Sequence, residues 1–228
     1  MRRVTGTIAA VAIIFAASTT SSLATTQSAP LLPPDSIEAQ SKISPPPALG
    51  TPKFHQEMST ILWLQETRTP EQVHFVEKPL NLDRFAPIVS EEMFKVDGPA
   101  LSVLLENAID EVRNDYDAVK TIYDYPRPFE ISSAVEAVGD ARAVPSYPSG
   151  HAIRAIVYAR LLTEVFPEKG DELMDLANRI GHGRAVAGVH YPMDVSSGQV
   201  LGHAYADAIL ANPTVQEAIA DIRGIDRS

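Results

Sequence analysis

Hydrophobic residues recur along much of the chain at the three- and four-residue intervals of a helix with one buried face. The longest such pattern spans residues 100–122 and comprises Leu101, Leu104, Leu105, Ala108, Val112, Tyr116 and Val119. This spacing keeps apolar side chains on one face over several turns and therefore predicts an amphipathic helix. Residues 152–166 are apolar on most faces. Such a helix belongs at the centre of a bundle, where neighbouring helices cover it on all sides.

Local start signals predict where further helices begin. Thr69 precedes Pro70, and Gln72 follows at the third helical position, which is a favourable capped start. Pro192 suits the first turn of a last long helix that runs to about residue 211.

Together the predicted helices define an all-α fold. We expect residues 54–228 to form one domain, a single helical bundle around the central apolar helix, with residues 168–189 as another of its helices. The sequence shows neither an internal repeat nor clear strand alternation. Trp63, which lies among apolar neighbours, is expected in the core.

Residues 1–24 match a secretory signal peptide. Two arginines precede a short apolar run at residues 7–17, and Ser22-Leu23-Ala24 offers a small-x-small cleavage site. A membrane anchor is the alternative, but the run is shorter than the roughly 20 apolar residues that a spanning helix needs. We therefore expect a periplasmic or secreted protein, cleaved near Ala24, with no membrane span in its mature form.

Residues 25–53 form a segment rich in Pro, Ser and Thr. Because proline lacks the backbone donor that helices and sheets need, the segment predicts an extended arm. The alternatives are that it packs on the domain, that it packs on a second subunit, or that it serves only as a leader.

Composition excludes several classes of function. The 228 residues include no cysteine, which excludes disulfides, thiol catalysis and cysteine-ligated zinc. The formal net charge of −10 argues against nucleic acid as a partner, because binding to its phosphates depends on positive charge.

Candidate chemistry concentrates in three separate segments, of which the third carries the most information. His190 lies in the predicted turn before the last long helix, and Asp194 falls in the first turn of that helix. From there the carboxylate can accept a hydrogen bond from one imidazole nitrogen and fix the tautomer. The other nitrogen then faces outward with a lone pair, which makes His190 a candidate nucleophile. The alternative is that both residues only cap a helix.

The second segment, Ser146-Tyr147-Pro148-Ser149-Gly150-His151, leads into the central helix. Backbone N–H groups at a helix N-terminus attract anions, and glycine lets the backbone approach a ligand closely. His151 in the first turn is placed to donate a proton. Helix capping is the common alternative for a Ser-Gly pair at a helix start.

The first segment supplies two cations, Lys120 at the end of the 100–122 helix and Arg127 in a turn rich in Tyr and Pro. Arginine presents a planar fork to phosphate oxygens, and lysine adds a point charge. For Lys120 the plain alternative is that it complements the helix dipole.

Taken together with Arg184, the three segments fit phosphoryl transfer. The cations would bind the equatorial oxygens, one histidine would attack phosphorus, and the other would protonate the leaving oxygen. A metal triad of His182, His190 and Asp194 is a further arrangement, but cationic surroundings repel a divalent ion, so no metal is expected.

The three segments resemble the motifs of the type 2 phosphatidic acid phosphatase superfamily, K-x6-R-P, P-S-G-H and R-x5-H-x3-D. The matching positions are Lys120, Arg127, Pro128, Pro148, Ser149, Gly150, His151, Arg184, His190 and Asp194. The Ser-Tyr form of the second motif and the signal peptide resemble the bacterial class A non-specific acid phosphatases in particular. Two positions depart from the pattern: Gly183 stands where the family usually has Ser, and Ala152 where class A members often have Thr.

The resemblance implies a secreted acid phosphatase that hydrolyses phosphate monoesters through a phosphohistidine, without a metal or other cofactor. In it, His190 would be the nucleophile, Asp194 would orient it, and His151 would act as general acid and then base. The residues implied to bind phosphate are Lys120, Arg127, Ser149, Gly150 and Arg184. Inorganic phosphate and vanadate are the implied competitive ligands, and a homodimer is also consistent with the family.

Three other functions compete with this one. A vanadate-dependent haloperoxidase would use the same residues to hold vanadate. A phosphatase or phosphotransferase could instead be specialised for lipid phosphate or pyrophosphate. A non-catalytic envelope protein that binds a partner through its Pro-rich arm would leave the complete set of motifs unexplained.

Overall fold

The computed structural model describes residues 30–33 and 37–225, and within them every regular element is helical. The α-helices are α1 (Ala39–Lys42), α2 (Pro52–Thr67), α3 (Pro70–Glu77), α4 (Ala86–Val89), α5 (Glu91–Tyr123), α6 (Pro128–Ile131), α7 (Gly150–Val165), α8 (Gly170–Val186), α9 (Pro192–Leu210) and α10 (Pro213–Ile225). Short 3-10 turns precede α4 and α8. The predicted all-α class is confirmed, whereas the predicted signal peptide lies outside the described residues.

Helix starts follow the local signals in the sequence. Thr69 Oγ1 accepts a hydrogen bond from Gln72 N at 3.3 Å, and the Gln72 side chain accepts one from Thr69 N at 2.8 Å. This reciprocal pair satisfies donors that the first turn of α3 would otherwise leave unpaired. Pro192 lies in the first turn of α9, which begins after a turn and does not continue α8.

Helix α7 is the centre of the bundle and packs against α5, α8 and α9. Ile153, Ile156 and Leu162 of this helix are completely buried, as its apolar pattern predicted. Helix α9 lies close to it because Gly202 has no side chain: a Cβ there would lie 2.7 Å from Ile156 Cβ. The long helices thus fix the start of α7 against the first turn of α9, where two of the motifs meet.

Helix α5 begins earlier than predicted, and α2 begins two residues before residue 54, the predicted start of the domain. Helix α5 starts at Glu91 and continues through Pro99, where the helix lacks one backbone N–H donor. Helix α2 starts at Pro52, where the side chain of Thr51 accepts a hydrogen bond from Phe54 N at 3.3 Å.

The expectation that Trp63 lies in the core is wrong, because 61% of its surface is exposed. Helix α2 buries the face that carries Phe54, Met58 and Ile61. Trp63 follows Ile61 by two residues, which places it about 200° further round the helix axis and away from the core.

The described part of the 25–53 segment packs on the helical body. The backbone N–H groups of Leu31 and Leu32 donate to the Glu111 carboxylate of α5 at 3.0 and 2.6 Å. Further along, Tyr147 Oη donates to the Ser44 carbonyl. Among the helices in the described ranges, none has the length and hydrophobicity needed to cross a lipid bilayer.

Candidate active site

A cavity of about 530 Å³ brings together residues from the first, second and third motif segments. The predicted site residues in its wall are Lys120, Arg127, Gly150, His151 and His190. The other three, Ser149, Arg184 and Asp194, are buried and lie outside its lining. The contributing positions are the last turn of α5, the start of α6, the first turn of α7 and the turn between α8 and α9.

His190 and Asp194 form a buried pair. His190 Nδ1 lies 3.0 Å from Asp194 Oδ2, and both side chains are at most 2% exposed. The same oxygen accepts hydrogen bonds from Ser146 Oγ at 2.5 Å and from Tyr191 N at 2.9 Å. Because a carboxylate only accepts, the proton between the pair belongs on Nδ1. Asp194 therefore holds the imidazole in one tautomer and one orientation.

The opposite nitrogen of His190 faces Arg127. Arg127 Nη1 lies 2.8 Å from His190 Nε2, and since a guanidinium is only a donor, Nε2 must be the acceptor, with its lone pair directed at Arg127. Arg127 is itself fixed by two backbone carbonyls: its Nε donates to Val144 O at 2.8 Å and its Nη1 to Val189 O at 2.6 Å. The geometry thus presents an unprotonated imidazole nitrogen beside a rigid cation.

Lys120 joins the end of α5 to the loop before α7. Its Nζ donates to Pro145 O at 2.7 Å and to Ser146 O at 3.1 Å. An ammonium has three donors, so one remains for an anion in the cavity. The side chain is buried and ties α5 to this loop. Lys120 therefore does more than complement the helix dipole, the alternative that the sequence suggested.

Ser149 and Gly150 shape the start of α7. Ser149 Oγ accepts from Ala152 N at 3.4 Å, so in this structure the hydroxyl acts as a helix cap, and Ser149 N donates to the Asp194 carbonyl at 2.9 Å. A Cβ at Gly150 would lie 2.8 Å from the Tyr116 ring. Glycine is thus required here for close packing beside the cavity.

Both histidines are surrounded by positive charge. Burial lowers the pKa of His190 well below its usual value, and the charges of Arg127 and Lys120 lower it further. Burial likewise lowers the pKa of His151, with Arg184 as the strongest charge effect and Arg154 next. In the absence of an anion, both imidazoles are therefore neutral.

The cations in turn destabilise one another. Burial and the charge of Arg127 lower the pKa of Lys120 to about 7. Burial and the same neighbour lower the pKa of Arg184 to about 10. Arg184 Nη2 donates to Asp140 O at 3.2 Å, while its Nε is buried without a partner among the described residues. A bound anion would relieve this repulsion, so the geometry favours anion binding.

Asp194 is the carboxylate buried beside these cations. Its burial raises the pKa, while the hydrogen bonds from Ser146 and Tyr191 and the charge of Lys120 act in the opposite direction. Its Oδ1 atom is buried and has no partner in the described part of the chain. The donors all converge on Oδ2, the oxygen that faces His190.

Sequence reasoning missed Ser146 and three arginines. Ser146 opens the second segment, and its hydroxyl contacts both members of the His190–Asp194 pair, at 3.4 Å from His190 Nδ1. Arg113, Arg142 and Arg154 line the cavity without belonging to any motif. For Arg154 a signal was present, because it follows His151 by three residues and so shares its face of α7.

The alternative metal triad does not form. His182 is exposed on α8 and lines a different cavity, between α3 and α8. Across residues 30–33 and 37–225, no group of three or more His, Asp or Glu side chains is arranged to hold a metal ion.

The structure accounts for glycine at position 183. A Cβ there would lie 2.8 Å from Cγ1 of Val76, a buried residue of α3. The space that a serine would need is therefore occupied by α3, which packs directly against α8.

These features define an all-α protein with a cationic pocket around a histidine–aspartate pair. The sequence profile of the PAP2 superfamily matches residues 99–215, and the chain belongs to that superfamily. The non-specific acid phosphatase of Salmonella typhimurium (strain LT2) is 25% identical over 208 residues, which cover 84% of this chain and 81% of that protein. The non-specific acid phosphatase of Providencia stuartii is 23% identical over 194 residues, with 80% and 78% covered. The predicted family resemblance is confirmed.

Proposed function

We propose that the protein is a periplasmic or secreted acid phosphatase that hydrolyses phosphate monoesters through a phosphohistidine, without a metal ion. The observation that carries the proposal is the His190 Nε2 lone pair, held toward a cationic cavity by the contact of Nδ1 with Asp194. The PAP2 profile and the relatives named non-specific acid phosphatase support it. The predicted signal peptide supports the location.

In the first step, His190 Nε2 attacks phosphorus in line with the ester oxygen. The N–P bond forms while the P–O bond to the alcohol breaks, and protonated His151 gives its proton to the leaving oxygen. Lys120, Arg127 and Arg184 would bind the phosphoryl oxygens, with Arg127 exchanging its contact to Nε2 for an oxygen. The positive charge that develops on the imidazole is stabilised by Asp194.

The second step reverses the protonation of His151. The neutral imidazole takes a proton from water, the water oxygen attacks phosphorus, and the N–P bond breaks. Inorganic phosphate leaves, and His190 returns to its neutral state with the Nδ1 proton still directed at Asp194. The same two histidines thereby complete the cycle with all protons accounted for.

The electrostatics suit an acidic working pH. A free imidazole with a pKa of about 6.5 is mostly protonated at pH 5 and cannot attack. Burial and neighbouring cations lower the pKa of His190, which keeps the nucleophile neutral there. A phosphate dianion in the cavity would raise the pKa of His151, and the imidazole, protonated in this way, would give its proton to the leaving group.

The cavity wall favours a polar leaving group over a lipid chain. In the described part of the wall, the aliphatic side chains are Val144 and Pro145, whereas most of the remaining residues are charged or can form hydrogen bonds. A pocket for acyl chains is predominantly apolar. We therefore propose small, water-soluble monoesters as the substrate class.

The test is release of p-nitrophenol from p-nitrophenyl phosphate by the chain from Thr25, in EDTA, between pH 4 and 9. We expect turnover in EDTA that is strongest on the acid side. His190→Ala should abolish it, whereas His182→Ala, a matched change at an exposed histidine of α8, should not. Acid-labile, alkali-stable labelling by ³²P-phosphate ester should be present in the wild type and absent in His190→Ala.

Three results would contradict the proposal. Turnover of His190→Ala near the wild-type rate would remove the nucleophile. Activity lost in EDTA and restored by zinc or magnesium would overturn the metal-free mechanism. A folded wild type without turnover, which oxidises bromide with peroxide once vanadate is added, would instead be a haloperoxidase.

A further inference from the structure

The cavity extends beyond the phosphate-binding residues to a second group of cations. Arg113, Arg142 and Arg154 lie in its wall together with the motif residues Lys120 and Arg127. In the proposed mechanism the motif cations bind the phosphoryl group, which leaves these three arginines on other parts of the wall. The wall carries five Lys or Arg residues against one acidic residue, Asp117. In a protein with a net charge of −10, this local excess of positive charge favours an anionic ligand.

Of these three arginines, Arg154 is the one without an acidic partner. Arg142 Nη2 lies 2.9 Å from Asp140, and Arg113 Nη1 lies 3.8 Å from Asp110; both arginines are exposed. Arg154 is half-buried and, within the described residues, has no carboxylate within salt-bridge distance. A half-buried guanidinium without a counter-charge is costly unless a ligand supplies that charge.

The side chain of Arg154 is directed back along α7 toward the proposed site of reaction. Its Nε donates to Gly150 O at 3.2 Å, one turn earlier. Its two Nη atoms donate to no residue in the described part of the chain, and Arg154 lines the cavity. Both terminal nitrogens of the Arg154 guanidinium are therefore available to bind a ligand.

Arg154 lies beside His151, the residue proposed to protonate the leaving group. Residues three apart on a helix lie on one face, about 4.5 Å apart along the axis. The charge of Arg154 is large enough at His151 to lower the pKa of its imidazole. Because His151 would protonate the leaving oxygen, the atoms attached to that oxygen would lie next to Arg154.

We propose that Arg154 is a specificity residue that binds a second anionic group on the leaving alcohol. The inference rests on the proposed phosphatase function and narrows its substrates. The favoured esters would carry a carboxylate or a second phosphate a few atoms from the scissile ester, as in phosphorylated hydroxy acids. The planar fork would take that group through paired hydrogen bonds.

A pair of substrates that differ in one group tests the proposal. 3-Phosphoglycerate and glycerol 3-phosphate share a three-carbon phosphate ester and differ in a carboxylate against a hydroxymethyl group. We expect the protein to show the higher kcat/KM with 3-phosphoglycerate. Arg154→Gln removes the charge and can replace only one of the paired hydrogen bonds, so it should lower the ratio of the two kcat/KM values by at least about 10-fold, the effect of losing one hydrogen bond between charged groups.

Two further variants make the result specific. Arg160→Gln is the matched control, because Arg160 lies on the same helix but pairs with Asp207 at 2.7 Å outside the cavity; it should leave the ratio unchanged. Arg154→Lys keeps the charge without the fork and should retain part of the preference.

The outcomes separate this proposal from the proposed function. If the wild type hydrolyses none of the three substrates (3-phosphoglycerate, glycerol 3-phosphate and p-nitrophenyl phosphate), the phosphatase function is overturned. Hydrolysis of both esters with equal kcat/KM, or a ratio that Arg154→Gln and Arg154→Lys leave unchanged, would overturn the role of Arg154 alone. Circular dichroism of each variant establishes that it is folded.

Discussion

Lys120 and His151 show how neighbouring charges set the protonation of single residues. The ammonium of Lys120 is buried near Arg127, which together with burial lowers its pKa to about 7. Burial lowers the pKa of His151 as well, and the charges of four arginines lower it further. In both cases the charged form is less favourable in the empty cavity than in water. A phosphate dianion reverses that balance, so substrate binding and protonation are coupled at these two residues.

This coupling predicts the pH dependence of kcat/KM. As pH rises, His151 loses the proton for the leaving group and Lys120 loses its charge near pH 7, so both changes lower the rate. We expect kcat/KM for p-nitrophenyl phosphate to be highest on the acid side and to fall further above pH 7. Lys120→Arg, which stays charged, should remove the part of the fall above pH 7. A profile that is flat from pH 5 to 8 in the wild type would contradict this assignment.

At the scale of elements, the site depends on how closely helices approach one another. Gly183 lets α3 pack on α8 directly before Arg184, and Gly202 lets α9 pack on α7. The turn between α8 and α9 then carries His190, and Glu57 of α2 accepts a hydrogen bond from Met193 N at 2.8 Å. Small residues at these crossings position the motif side chains without entering the cavity.

Gly183→Ser tests this packing, because the new Cβ would lie 2.8 Å from Val76 Cγ1. We expect a loss of about 1–3 kcal/mol in the free energy of unfolding, typical of overpacking. Adding Val76→Ala should reduce the combined loss below the sum of the two single changes. Gly224→Ser in α10, where a Cβ meets no atom within 4 Å, is the control in urea denaturation. Additive losses would show that the two residues do not compete for space.

At the scale of the whole molecule, residues at the start of the described chain are tied to its middle and to its C-terminal part. Leu31 and Leu32 donate to Glu111 in α5, and the carbonyl of Leu31 accepts from Asn212 Nδ2 at 3.0 Å. Leu31 itself is buried. The segment thus connects α5 with the turn between α9 and α10. Helix α5 also carries Lys120, and α9 also carries Asp194.

Glu111→Gln should loosen this connection. The two backbone donors bond to different carboxylate oxygens, so the substitution removes one acceptor and leaves a neutral one for the other bond. We therefore expect about 1 kcal/mol lower stability. Amide hydrogen exchange at Leu31 and Leu32 should accelerate, while turnover of p-nitrophenyl phosphate stays at the wild-type level. Glu106→Gln, which affects an exposed hydrogen bond from Ser102, is the control. Unchanged exchange at both leucines would contradict the role of Glu111.

Much of the local structure followed from the sequence. The capping box of Thr69 and Gln72 and the start of α9 at Pro192 depend on groups within one turn, so short-range chemistry is sufficient to predict them. The apolar pattern likewise predicted the central helix, because helical periodicity fixes which side chains share a face. The contact between His190 and Asp194 is also local, at four residues' separation.

Contacts between distant segments could not be predicted in the same way. Arg127 meets His190 across 63 positions, and Ser146 meets Asp194 across 48. Such contacts depend on how whole helices pack, which no local pattern encodes. The wrong prediction that Trp63 is buried has a similar cause. Its apolar neighbours in the sequence do not decide which face of α2 the rest of the protein covers.

The sequence by itself determined the helical class and the set of residue types that suits phosphoryl transfer, because periodicity and motif spacing are properties of the chain alone. Only the tertiary structure decided which nitrogen of His190 carries the lone pair, that burial and the neighbouring cations lower the pKa of His190, and that Arg154 shares the cavity. Those properties arise from burial and from distances between helices, and both exist only once the bundle has formed.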